Sequence, residues 1–133
     1  MQGRARCKLP EGVSQIFPGG TREMTDASVA FVYVTTRDKN EALAIGRALV
    51  EERLAAGVNI LDGLRSLYWW EGKVRDASEA AFIAKTLREL VPQVITRVKE
   101  LHSYDVPCVA ALPVADGNPD FLDWVFHEVK KEY

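Results

Sequence analysis

The sequence predicts an α+β fold, one antiparallel sheet carrying helices, and three observations lead there. Ser28 to Thr36 (SVAFVYVTT) is apolar at odd and even positions alike, the pattern of a strand buried on both faces. Leu64 to Thr86 holds two strand-like runs joined at Glu71-Gly72, where Gly72 supplies the backbone angles of a tight turn. Between and after them, helix patterns alternate with strand patterns. At 133 residues, 47% hydrophobic and 27% charged, the chain is long enough for one domain with a real core. A net charge of −2 argues against a general nucleic-acid binder. No apolar run approaches the ~20 residues that span a membrane. The expected partners therefore include neither nucleic acid nor membrane. Cys7 and Cys108 lie far apart and form no CxxC; they read as free thiols of a cytoplasmic protein.

Each element has its own warrant. Residues 1–27, with Gly3, Gly12, Gly19, Gly20, Pro10 and Pro18 and no periodicity, read as a flexible tail before a domain over 28–133. In the first strand Val29, Phe31 and Tyr33 point one way, and Ala30, Val32 and Val34 the other. Asp38 with Glu41 makes a capping box for a helix running to about Ala56, which Gly57 stops. Val58 to Leu61 is a strand, Asp62-Gly63 a bend or bulge, and the long hairpin follows. Its second run, Val74 to Thr86, would reach roughly 40 Å at ~3.3 Å per residue, so the hairpin is expected to project beyond its own domain. Thr86-x-x-Glu89 and Pro92 mark a second helix start, with Leu90, Val94, Val98 and Leu101 as its buried stripe. Residues 102–107 form a polar connector. Cys108 to Val114 is a strand whose Pro113 implies an edge or a bulge. Asn118-Pro119-Asp120 caps a last helix to about Lys131, burying Phe121, Leu122, Val125 and Val129.

Two split βαβ units with right-handed crossovers place both crossover helices on one face of a four-stranded antiparallel sheet. This is a ferredoxin-like sandwich, βαββαβ plus a C-terminal helix, with an extended β-hairpin. With helices on one face only, the second apolar face would be an exposed patch larger than monomers tolerate. Another copy of the chain is expected to cover it.

At this stage the motifs themselves identify relatives. Glu51-Glu52-Arg53-Leu54-Ala55-Ala56-Gly57-Val58-Asn59-Ile60 and Ser66-Leu67-Tyr68-Trp69-Trp70-Glu71-Gly72-Lys73 resemble the CutA family of divalent-cation tolerance proteins. So do Ser78-Glu79, Lys85-Thr86, His102 to Pro107, Leu112-Pro113-Val114 and Phe121 to Trp124, over Ala27 to Glu132. The resemblance implies a ferredoxin-like homotrimer, similar in build to PII signal proteins, in which extended hairpins pair between subunits. It implies a role in tolerance to copper and other divalent metals, with copper binding proposed for some members, and no secure enzymatic activity. The chain departs from the family pattern at Thr35 and Gly57, where cysteines are usual, at Ser103 for a proline, and at Cys108 for a glutamate. A family-type site would become Thr35, His102 and Cys108.

The candidate metal ligands for Cu or another divalent ion are therefore His102 and Cys108, a soft thiolate favouring Cu(I) or Zn. The competing readings are a helix-end cation for His102 and a small buried hydrophobe for Cys108. Tyr68, Trp70, Glu79, Lys85 and Tyr104 are the candidate residues of an inter-subunit ligand cleft that takes a small anion. For Tyr68, Trp69 and Trp70, core or interface packing is the rival explanation. No Ser/His/Asp set, phosphate loop or HExxH is present, so the chain reads as a non-enzyme. Two functions follow: a trimeric metal-response protein, or a PII-like signalling or scaffold trimer.

Overall fold

The computed structural model describes residues 28–131. The expectations for residues 1–27, Cys7 included, and for Glu132 and Tyr133 lie outside the described residues. Seven elements follow in order: β1 (Val29–Thr36), α1 (Lys39–Glu51), β2 (Gly57–Trp70), β3 (Lys73–Leu87), α2 (Val91–Leu101), β4 (Val109–Pro113) and α3 (Pro119–Glu128). The strands make one antiparallel sheet in the order β2-β3-β1-β4. Pro113 closes an edge strand, where a missing N–H breaks no ladder.

Register assigns the faces. Val32 lies opposite Ala84, and Ala84 opposite Val58, so these share one face with Val34 and Phe82. That face packs on α1 and α2 in a core containing Ile45, Leu49, Val94 and Val98, all essentially inaccessible. Gly46 permits the close approach, because a Cβ there would stand 3.0 Å from Val58 Cγ2. Phe31, Lys85 and Gly57 share the other face. The expectation that helices leave this face bare is corrected at one end. The Phe121 ring meets Phe31 edge-on at 6.5 Å, and Trp124 lies 3.4 Å from where a Gly57 Cβ would stand. The terminal helix α3 thus closes this end of the second face.

Three local expectations also change. Helix α1 ends at Glu51, five residues early, in a Schellman arrangement: Arg53 N–H donates to Val50 O and Leu54 N–H to Leu49 O. Arg53, at φ 62°, takes the left-handed position assigned to Gly57, which instead opens β2. The reversal turns Leu54 and Ala55 into the core. Thr86 does not cap α2; its buried hydroxyl donates to Leu54 O at 2.7 Å, and a 3₁₀ turn (Arg88–Leu90) precedes the helix. Leu101, assigned to the buried stripe, is exposed.

The hairpin is one continuous ribbon with its irregularity between Leu61 and Leu64, where the bulge was expected. Its two-residue turn puts both Glu71 (φ 53°) and Gly72 (φ 77°) in the left-handed region, the geometry that matches strand twist. β3 pairs with β1 only from Ala80 onward. Leu64–Trp70 and Lys73–Glu79 therefore extend as a bare two-stranded ribbon, roughly 23 Å long at ~3.3 Å per residue.

Phe82 is completely buried beneath the helices. Phe82→Ala should lower unfolding free energy by about 3–5 kcal/mol, read as a shifted midpoint in urea denaturation.

Candidate functional site

A cleft opens where β1 stops and the ribbon continues. Its volume is about 570 Å³, and its walls include Tyr33 and Thr35 of β1, Ser66, Tyr68 and Trp70 of β2, Glu79 of β3, and Tyr104, Asp105 and Cys108 of the connector. Alternation explains the convergence. Tyr33 and Thr35 lie on the second face of the sheet, and the register carries Glu79, Ser66, Tyr68 and Trp70 to that same side. Trp69 faces the opposite way with Leu67 and Val74. None of Tyr68, Trp69 or Trp70 is core: they are 40%, 74% and 42% exposed.

The connector is held by a buried carboxylate. Glu41 donates its N–H to the Asp38 cap at 2.9 Å, but its carboxylate reaches past the cap to accept Arg37 N–H at 2.9 Å. It also accepts Ser103 N–H at 2.7 Å and Ser103 Oγ–H at 3.0 Å. His102, its side chain fully buried, lies 4.0 Å from Glu41 through Nδ1. Nδ1 accepts Tyr104 N–H at 3.0 Å, so Nε2–H donates to Thr35 O at 2.8 Å. Tyr104, its ring 4.9 Å from that of His102, reaches into the cleft and donates its hydroxyl to Glu79 Oε2 at 2.6 Å. Burial and the neighbouring Glu79 carboxylate push the Tyr104 hydroxyl above its ordinary pKa, which keeps it a donor.

The structure brings Tyr68, Trp70, Glu79, Tyr104 and Cys108 to one cavity, and leaves two predicted site residues outside it. Lys85 shares a face with Glu79 but lies opposite Phe31 and Gly57, toward α3; burial lowers its ammonium pKa. His102 sits behind the cleft with both ring nitrogens engaged, so no lone pair is free for a metal. Cys108 is exposed rather than a buried hydrophobe. Among the described residues, no group of three or more His, Cys, Asp or Glu side chains could hold a metal ion. A second groove, about 420 Å³, lies between the end of α1 and α2, and Arg97 there is already paired with Glu52 and Glu100. The sequence reading missed Tyr33, Asp105 and the anchoring role of Glu41. The period-2 pattern of β1 pointed to Tyr33, but nothing local pairs Glu41 with Ser103, 62 positions away.

Comparison with known proteins bears on this site. A family model described as CutA1 divalent ion tolerance protein matches residues 30–128. The divalent-cation tolerance protein CutA of Thermus thermophilus is 47% identical over 94 residues, 71% of this chain and 91% of that one. The crystal structure of CutA1 from Oryza sativa superposes with a TM-score of 0.78 at 39% identity, covering 81% of this chain and 99% of that one. The Archaeoglobus fulgidus structure, described as a periplasmic divalent cation tolerance protein CutA, gives a TM-score of 0.74 at 42% identity, over 77% and 99% of the two chains.

The Glu41 anchor has a pH signature. Burial opposes its ionisation, but hydrogen bonds from Arg37 and Ser103 outweigh this and hold its pKa below 4.5. A folded value below the unfolded one means that the stabilisation is complete above the unfolded pKa and is lost as pH falls through the folded one. Glu41→Gln should destabilise the protein at pH 7 by about 1–3 kcal/mol. Thermal unfolding from neutral pH into acid should show a smaller loss for the variant than for the parent.

Proposed function

The chain belongs to the CutA1 divalent ion tolerance protein family, and from that premise we propose that it serves divalent-cation tolerance as a homotrimer of ferredoxin-like subunits. It would act through a ligand cleft at the root of the hairpin rather than through a resident metal. The strand order β2-β3-β1-β4, with both crossover helices on one face, supports the ferredoxin-like reading. The ribbon supports assembly: Leu67, Trp69 and Val74 are 69%, 74% and 58% exposed on one side of it, and an isolated two-stranded hairpin is marginally stable in water.

The observation that carries the cleft is its lining: Glu79 and Asp105 carboxylates and the Cys108 thiol, with no lysine, arginine or histidine among the described residues. This chemistry selects a cation. The described residues do not fit a resident copper or zinc ion, since His102 offers no lone pair and the remaining donors among them form no three-ligand group. Copper would meet Cys108 and the carboxylates only as an open, exchangeable encounter.

The PII-like reading, with a small anionic ligand, draws on Lys85, which has no ion pair among the described residues and a desolvated ammonium. A thermal shift with organic anions, abolished in Lys85→Met, would favour it. A cytoplasmic location belongs to the same proposal, with Cys108 as a free thiol. Among the described residues, no helix is long and apolar enough to cross a membrane.

Light scattering should give a mass near three times 14.8 kDa; a clean monomer would remove the assembly. Copper titration of the full chain should show weak uptake that survives His102→Asn and falls in Cys108→Ser. Tight stoichiometric binding abolished by His102→Asn, in a variant that still unfolds cooperatively, would instead establish a metal centre at that residue.

A further inference from the structure

The cleft is far larger than a coordination sphere, and its walls are aromatic. Tyr33, Tyr68, Trp70 and Tyr104 all contribute to a space of about 570 Å³, within the usual range for small-molecule pockets. A metal ion needs several lone pairs converging within bonding distance, and here they do not converge. The π-faces offer something else, the negative side of a ring quadrupole, which attracts a weakly hydrated cation.

Glu79 supplies the counter-charge. It is only 8% exposed, yet the one hydrogen bond it receives among the described residues, from Tyr104 Oη–H, goes to Oε2. Oε1 has no donor there and keeps a narrow access to solvent. A carboxylate so little exposed gains from a cation or a second donor brought against its open oxygen. The nearest cationic candidate on the same ribbon face, Arg75, is turned to Glu71 at the hairpin tip and does not line the cavity. Asp105 adds a second negative charge to the lining. An anion entering the cleft would be repelled, and a neutral ligand would leave Glu79 without its counterpart.

Resting on the reading of the cleft as the ligand site, we propose that it binds a small organic cation, an alkylammonium or quaternary ammonium group, with the charge against Glu79 and the alkyl groups on Tyr68, Trp70 and Tyr104. A quaternary head presents alkyl hydrogens to the rings and carries a diffuse charge, so it matches both halves of the lining at once. The hairpin residues Tyr68 and Trp70 then act as recognition groups in addition to any contact they make in assembly.

The test is isothermal titration of the full chain with choline and with its uncharged isostere 3,3-dimethylbutan-1-ol, on the parent, Glu79→Gln and Trp70→Leu. Thermal unfolding of each variant establishes that it is folded. Choline should bind the parent, and its affinity should fall roughly tenfold or more in either variant. The isostere should bind the parent roughly tenfold more weakly than choline. Equal binding of the two ligands, or unchanged choline affinity in Glu79→Gln, overturns the cation assignment while leaving a ligand cleft in place. Absence of binding by both also overturns it; if copper and organic anions are silent in the same cleft, the cleft reading falls with it.

Discussion

The double pairing of β3 is the constraint on which the rest of the structure depends. From Ala81 to Lys85 it is flanked by β1 on one side and β2 on the other; from Lys73 to Glu79 it has β2 alone. One strand is thus the centre of a buried sheet at one end and half of an unsupported ribbon at the other. The buried alanines Ala81 and Ala84 keep the doubly paired part thin, which lets α1 and α2 lie close on one face and α3 close part of the second. The cleft lies at the transition. Thr36 is the last residue of β1 to pair, opposite Ala80, so Glu79 stands at the step where the sheet loses a strand.

A step of this kind exposes polar backbone unless something fills it. The connector after α2 does so, held from below by Glu41 and from within by His102. Glu41 therefore serves two elements at once, closing the first turn of α1 and gripping Ser103. His102 links Thr35 O to Tyr104 N–H, so its ring acts as a brace between β1 and the connector. These bonds are shielded from water, where losing one partner leaves the other unsatisfied and costs more than the bond itself contributes. The position of Tyr104 over Glu79 follows from that brace.

Electrostatics then sets the character of the cleft. Among the described residues its charged groups are carboxylates and its soft donor is a single thiol, while the lysine read as an anion partner lies toward α3. The family's association with divalent cations and the absence of a preformed metal centre in one described chain are compatible if the protein senses or responds through a ligand.

Sequence alone determined the strands and helices, the projection of the hairpin and the family. These rest on local pattern: the two-faced apolar run of β1, the Glu71-Gly72 turn, the Asn118-Pro119 cap, and motifs in one register. It determined which residues share a strand face as well, because that follows from period two; Tyr68 and Trp70 were correctly paired against Trp69. Tertiary structure decided everything that depends on contacts between distant segments. Where α1 ends was set by the burial of Leu54 and Ala55, which made Arg53 rather than Gly57 the left-handed residue. The loss of the Thr86 cap came from a hydrogen bond to Leu54, 32 positions back. The same holds for His102: a histidine beside a strand offers a lone pair on paper, but the Tyr104 N–H and the Thr35 carbonyl occupy both of its nitrogens once the connector is folded against β1.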